Sequence, residues 1–104
     1  MAGTDAPKLE YRGARGFYLL LDMNAGTLRV KGASSRRTKA DTDRTVPLTT
    51  VQRVSTFREA GFFLAVQGLE IELSDVVAPV LRVAMTPRDQ SLWMARLGQA
   101  CGLA

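Results

Sequence analysis

The sequence has 104 residues, a net charge of +4, one cysteine and no histidine. That length accounts for one domain, for which we expect residues 8–104 after a flexible N-terminus at 1–7. A single thiol excludes an internal disulfide, so the expected location is the cytoplasm, including its membrane surfaces and the cytoskeleton. Without histidine or paired carboxylates in an apolar context, we expect no enzyme activity, no metal and no cofactor.

The first half of the chain predicts three short strands and a long polar loop. Weak alternation at 8–12 indicates a short edge strand, and the apolar run at 17–22 is typical of a central strand covered on both faces. Turn chemistry at 24–26 leads into clean alternation at 27–31, which together predict a hairpin. The polar segment at 32–44 is long enough to be a functional loop.

The second half begins with a strand at Val46, and its apolar spacing slips at 49–50, which predicts a bend or a bulge there. An apolar run at 62–66 predicts the next strand. The Gln-Gly pair at 67–68 is interpreted as a two-residue hairpin turn, and strict alternation at 69–73 predicts the strand that follows it.

A capped helix at 87–101 is the strongest local signal. Thr86 can cap its first free N–H groups, and Asp89 can complete a capping box. Apolar residues led by Trp93 recur at helical spacing, so they form one buried stripe, and Gly102 is a natural stop. A lone terminal helix with this stripe is expected to close the open end of a β-structure.

A last strand at 81–85 brings the predicted count to seven, joined by short connections. Consecutive hairpins give antiparallel meanders, and one seven-stranded sheet would leave an apolar face bare. The predicted fold is therefore mainly β: a seven-stranded antiparallel barrel or sandwich capped by one C-terminal α-helix.

This order resembles the pleckstrin homology (PH) superfold. Residues 15–22, with Arg15 two positions before Phe17, resemble the family's second strand, and residues 26–31 resemble its third. Residues 81–97 resemble its last strand and Trp-bearing helix. Phosphotyrosine-binding and EVH1-type domains share the architecture, so the resemblance is to a superfold.

The resemblance implies a headgroup site at the open end of the strands. Residues 1–58 hold eleven Lys and Arg against five Asp and Glu, so this half of the chain carries the positive charge. If the strand is regular from Arg15 onward, that side chain lies on the row of Phe17 and meets Lys31 and the loop arginines at the mouth. The candidate headgroup residues are Lys8, Arg12, Arg15, Lys31, Arg36, Arg37 and Lys39.

Three interpretations of this charge remain open: a solvated loop, a phosphoinositide or anionic membrane site, and a field beside a protein-binding groove. Nucleic acid is not expected, because no aromatic residues interleave with the loop cations. PH-like folds can also take an extended peptide as an added strand at an open sheet edge. The expected function is a non-catalytic adaptor module that binds a protein partner, with a specific phosphoinositide reader as the alternative.

Overall fold

The computed structural model describes residues 7–34, 37–60, 66–76 and 79–103. In these ranges the chain forms seven strands, two 3-10 turns and one α-helix, and the number of strands and the single helix agree with the prediction. The strands and the helix are β1 (Lys8–Arg12), β2 (Tyr18–Asp22), β3 (Thr27–Gly32), β4 (Thr42–Pro47), β5 (Val51–Glu59), β6 (Val66–Leu73), β7 (Val80–Ala84) and α1 (Pro87–Cys101).

The strands form two antiparallel sheets, in the orders β1-β2-β3-β4 and β5-β6-β7. Ala33 and Arg82 join the sheets by exchanging two backbone hydrogen bonds, of 2.8 and 2.9 Å. The hydroxyl of Tyr11 on β1 adds a third link by donating to the carbonyl oxygen of Ala84, at 2.7 Å. Across the described ranges the ladders do not close into a barrel.

The core lies between the two sheets because β2, β3, β6 and β7 bury alternate side chains. Leu19 and Leu21 of β2 oppose Leu28 and Val30 of β3, and all four side chains are inaccessible to solvent. Helix α1 covers the core from one side, packed against β5 and β6. The core includes Leu69, Ile71, Leu81, Val83, Trp93 and Leu97.

The helix begins and ends where the sequence predicts. The Thr86 hydroxyl accepts a long hydrogen bond from the Asp89 backbone N–H at 3.5 Å and donates to the Asp89 carboxylate at 3.1 Å. Gly102 ends the helix with φ 69°, in the left-handed region. Trp93 is 1% exposed, so the predicted inward stripe is confirmed. No helix in the described ranges is long and apolar enough to cross a membrane.

The predicted hairpin turn at Gln67 and Gly68 is wrong, because both residues lie inside the continuous strand β6. Gly68 faces Ala84 on β7, where the two backbones approach so closely that a β-carbon would not fit. The glycine therefore serves strand packing instead of a turn. The strand predicted at 62–66 lies outside the described residues apart from Val66, which begins β6.

Two further boundaries differ from the prediction. The loop predicted at 32–44 is shorter, because β4 already begins at Thr42 and pairs with β3 through polar residues. Strand β2 is buried on one face only, since Tyr18 and Leu20 are half-exposed on the other. A 3-10 turn lies where the bend was predicted near 49–50, but it separates β4 from β5, which belong to different sheets, so the prediction of one bent strand from Val46 is wrong. The flexible segment predicted at 1–7 falls outside the described residues except for its last residue.

Candidate functional site

An open cleft of about 600 Å³ lies between the turn after β1 and the segment that leads into β4. The backbone N–H of Ala40 donates to the carbonyl oxygen of Arg15 at 3.2 Å and holds the two walls together. Both basic and acidic residues line the cleft: Arg15, Gly16, Lys31, Lys39, Ala40, Asp41, Thr42 and Asp43.

Arg15 is exposed in the middle of a 3-10 turn at Ala14–Gly16. Its φ of 58° lies in the left-handed region, which costs a residue with a β-carbon about 1–2 kcal/mol. The strand is thus not regular from this position, so the condition under which Arg15 would continue the buried row of Phe17 is not met. Arg15 and Gly16 have consecutive positive φ values, and both residues line the cleft.

The carboxylates of the cleft already have partners. Asp41 accepts from the backbone N–H of Ser34 at 3.0 Å and forms an ion pair with Arg37 at 3.2 Å. Asp43 accepts two hydrogen bonds from Arg29, at 3.2 and 3.0 Å, which lower the pKa of its carboxyl group. These contacts neutralise the two carboxylates of the cleft, whereas Arg15 and Lys39 have no such partner among the described residues.

The outer face of the first sheet carries a second cluster, centred on Tyr18. The cations of Arg12, Arg29 and Lys31 lie 5.6, 5.7 and 5.8 Å from its ring centroid. Its hydroxyl donates to Glu10 at 2.6 Å, and this bond lowers the pKa of Glu10 and raises that of Tyr18. Tyr18 was missed because the apolar run around it masked its outward position. Arg29 was missed because its contacts depend on the register of β3 with β2 and β4.

The seven predicted headgroup residues fall into three groups. Arg15, Lys31 and Lys39 line the cleft. Lys8 and Arg12 lie along the outer face of β1 and pair with Asp22 at 3.9 Å and Glu10 at 3.1 Å. Arg37 does not line the cleft but forms an ion pair with Asp41, which does. Arg36 lies outside the described residues.

The surplus positive charge is confined to a few positions. Among the described residues, every carboxylate except Asp89 takes part in an ion pair. Within the same ranges, the cations that have neither an ion pair nor a side-chain hydrogen bond are Arg15, Lys39, Arg58 and Arg88. Two of them line the cleft, one lies on β5 and one on the first turn of α1.

Strand β5 is the edge of the second sheet, and its outward backbone groups can be assigned. Arg82 exchanges both backbone hydrogen bonds with Ala33, so its N–H and C=O point away from β6. The residue of β6 opposite Arg82 is Glu70. The backbone N–H and C=O of Glu70 therefore point toward β5, where Glu70 lies opposite Ser55. Because this direction alternates along an antiparallel strand, the groups that point away from β6 belong to Val54, Thr56 and Arg58.

This outer edge is accessible. Thr56 and Arg58 are exposed, and Val54 is half-buried against the core. Apart from the ladder with β6, residues 52–58 make no backbone hydrogen bond to another described part of the chain. The edge runs beside α1, which packs against β5.

Comparisons of this chain with protein-family models, with curated proteins and with solved structures found no match.

Proposed function

We propose that the chain is a non-catalytic, PH-like interaction module that binds a protein partner as an added strand along β5. The observation that carries this proposal is the row of outward backbone groups at Val54, Thr56 and Arg58 on an exposed edge. The PH-like assignment rests on the four-plus-three arrangement of consecutive strands, followed by a single helix that buries Trp93.

An added strand would provide hydrogen-bond partners for backbone groups that bond to no other described part of the chain. Each of the three residues offers one donor and one acceptor, and each net hydrogen bond contributes about 0.5–1.5 kcal/mol. Strand β5 is also nine residues long, whereas natural proteins often keep exposed edge strands very short. Exposed edges of this kind serve as peptide-binding sites in many interaction domains.

The test removes the outward donor at one position and leaves the β5–β6 ladder intact. Thr56→Pro deletes an N–H that does not bond to β6, whereas the matched variant Thr56→Ala keeps it. The expected result is a partner, captured from cell extract and then purified, that binds wild type and Thr56→Ala equally but binds Thr56→Pro at least tenfold more weakly. A partner whose affinity is the same for all three proteins would contradict the proposal, provided circular dichroism shows that all three are folded.

A second candidate function is anion binding at the cleft, favoured by the unpaired cations of Arg15 and Lys39. The test is sedimentation with liposomes of defined phosphoinositide content at low and physiological salt, using Arg15→Asn/Lys39→Gln and the control Arg88→Gln. Binding that depends on the headgroup and is lost only in the double variant would support a phosphoinositide reader. Binding to any anionic lipid that fades at physiological salt would indicate the net charge alone.

A further inference from the structure

We infer that the segment bound along β5 is acidic, with two carboxylates five residues apart that lie opposite Arg53 and Arg58. This inference rests on the proposed strand addition and specifies the chemistry of the partner. The cations of β5 stand near its two ends, and its one carboxylate, Glu59, is held by Arg82 at 3.0 Å. The edge therefore presents positive charge to an incoming strand.

Arg58 provides the first contact. It is exposed and is among the described cations without an ion pair or a side-chain hydrogen bond. Its side chain shares a face with those of Val54 and Thr56, because alternate residues of a strand point to the same side. Its cross-strand neighbour is Gln67, whose side chain accepts a hydrogen bond from Gln90 of α1 at 3.4 Å. The Arg58 guanidinium thus lies on the helix side of the edge.

Arg53 provides the second contact on the other face. Its partner is Glu72, and the Arg53 Nε lies 3.7 Å from the Glu72 carboxylate. The Arg53 side chain is 72% exposed, and an exposed pair at this distance contributes little to stability. A second carboxylate can therefore join this arginine at small cost.

The separation of the two arginines sets the spacing of the partner's charges. Positions 53 and 58 differ by an odd number, so their side chains lie on opposite faces of the sheet. Residues directly opposite each other on paired strands have β-carbons about 4.5–5.5 Å apart, which lets opposite charges interact. Whether the added strand is parallel or antiparallel, it brings a carboxylate next to each arginine only if its two carboxylates are also five positions apart.

The test titrates 15N-labelled protein with three capped synthetic peptides and follows the backbone amides by NMR. The first, TETVTVETV, carries glutamates five positions apart. The second, TKTVTVKTV, has lysines at the same positions, and the third, TETVTETVT, has glutamates four positions apart. Amide hydrogen exchange at Val54, Thr56 and Arg58 reports whether the peptide adds to the edge of β5.

We expect the first peptide to bind about tenfold more tightly than the second and about threefold more tightly than the third, on the scale of cross-strand charge pairs. Arg58→Gln is expected to weaken binding of the first peptide about threefold and to leave the affinity of the lysine peptide unchanged or higher. Arg88→Gln removes the same charge from the first turn of α1, and binding of the first peptide is expected to stay as in wild type.

The outcomes separate this inference from the function on which it rests. If all three peptides bind equally and slow exchange at Val54, Thr56 and Arg58, the strand addition stands and the acidic spacing is wrong. If none of the peptides changes exchange along β5, both the strand addition and the acidic spacing fail. Self-association of the protein through β5 without peptide would identify a second copy as the occupant and would also overturn the inference.

Discussion

Gly68 lies so close to β7 that a β-carbon at position 68 would collide with the carbonyl oxygen of Val83 and lie 2.8 Å from the Cα of Ala84. Both obstacles are backbone atoms of β7, which is hydrogen-bonded to β6, so neither can move aside without disturbing the β6–β7 ladder. We therefore expect Gly68→Ala to destabilise the protein by about 3 kcal/mol or more. Urea unfolding followed by circular dichroism measures the change.

Gly98→Ala is the matched control. Gly98 lies inside α1, and the nearest atom to its added β-carbon is the Leu103 carbonyl oxygen at 3.9 Å. Helix propensity alone predicts a gain in stability of about 1 kcal/mol. The same chemical change is thus expected to move the urea midpoint in opposite directions at the two positions. A midpoint for Gly68→Ala near that of wild type would disprove the close approach of β6 and β7.

The error at Gly68 shows which part of the fold was accessible from the sequence. Helix α1 was predicted to the residue because Thr86, Asp89 and Gly102 act locally, within one turn of the residues they cap. A glycine beside a polar residue has two local interpretations, a turn or a close approach. Only the position of β7, which follows in the chain, decides between them.

The candidate site, like the fold, could be predicted only in part from the sequence. Arg15, Lys31 and Lys39 line the cleft and were each predicted as headgroup candidates, although the sequence placed Arg36 or Arg37 beside Arg15 and Lys31. The pairing of Arg29 with Asp43 was not predicted, because it depends on the register between β3 and β4. The outward groups of β5 likewise depend on the bridge between sheets, which no local pattern encodes.

Trp93 anchors α1 to the core, and its removal should be costly. It is 1% exposed, whereas the adjacent Leu92 is 47% exposed on the solvent side of the same helix. We expect Trp93→Ala to lower the free energy of unfolding by about 3–5 kcal/mol and Leu92→Ala to change it by less than about 0.5 kcal/mol. Thermal or urea unfolding distinguishes the two. Similar losses for both variants would mean that α1 does not cover the core as described.

The Glu10 carboxyl is expected to titrate below its ordinary pKa of 4.5, because it accepts hydrogen bonds from Tyr18 and then from Arg12. A lowered folded-state pKa gives stability that is present above pH 4.5 and is lost as the pH falls through the folded value. Tyr18→Phe removes the larger cause, so the pKa of Glu10 should rise toward 4.5. NMR titration of the side-chain carboxyl carbons measures this shift.

Asp43 serves as the internal control for that titration. Arg29, and not Tyr18, lowers the pKa of its carboxyl group below the ordinary 3.8. In Tyr18→Phe the Asp43 pKa is therefore expected to stay low while that of Glu10 rises. A parallel rise of both values would show that Tyr18 acts by holding the whole outer face together and not by its bond to Glu10.

The backbone of Arg15 offers the sharpest test of whether the cleft has a function. Its left-handed φ of 58° is unfavourable for arginine but open to glycine, so Arg15→Gly relieves strain while it adds freedom to the unfolded chain. The net expectation is a gain in stability of up to about 1 kcal/mol by urea unfolding. The neighbouring Gly16, with φ 85°, gives the opposite control, since Gly16→Ala should destabilise the protein by about 1 kcal/mol.

The two results together decide how the strain is interpreted. A more stable Arg15→Gly that has also lost headgroup-dependent liposome binding would mean that the arginine is retained for its charge at the cleft despite its backbone. A clear loss of stability in Arg15→Gly would mean instead that contacts of the side chain hold the turn. The second candidate function would then lose its main support, because an unpaired guanidinium is the feature on which anion binding depends.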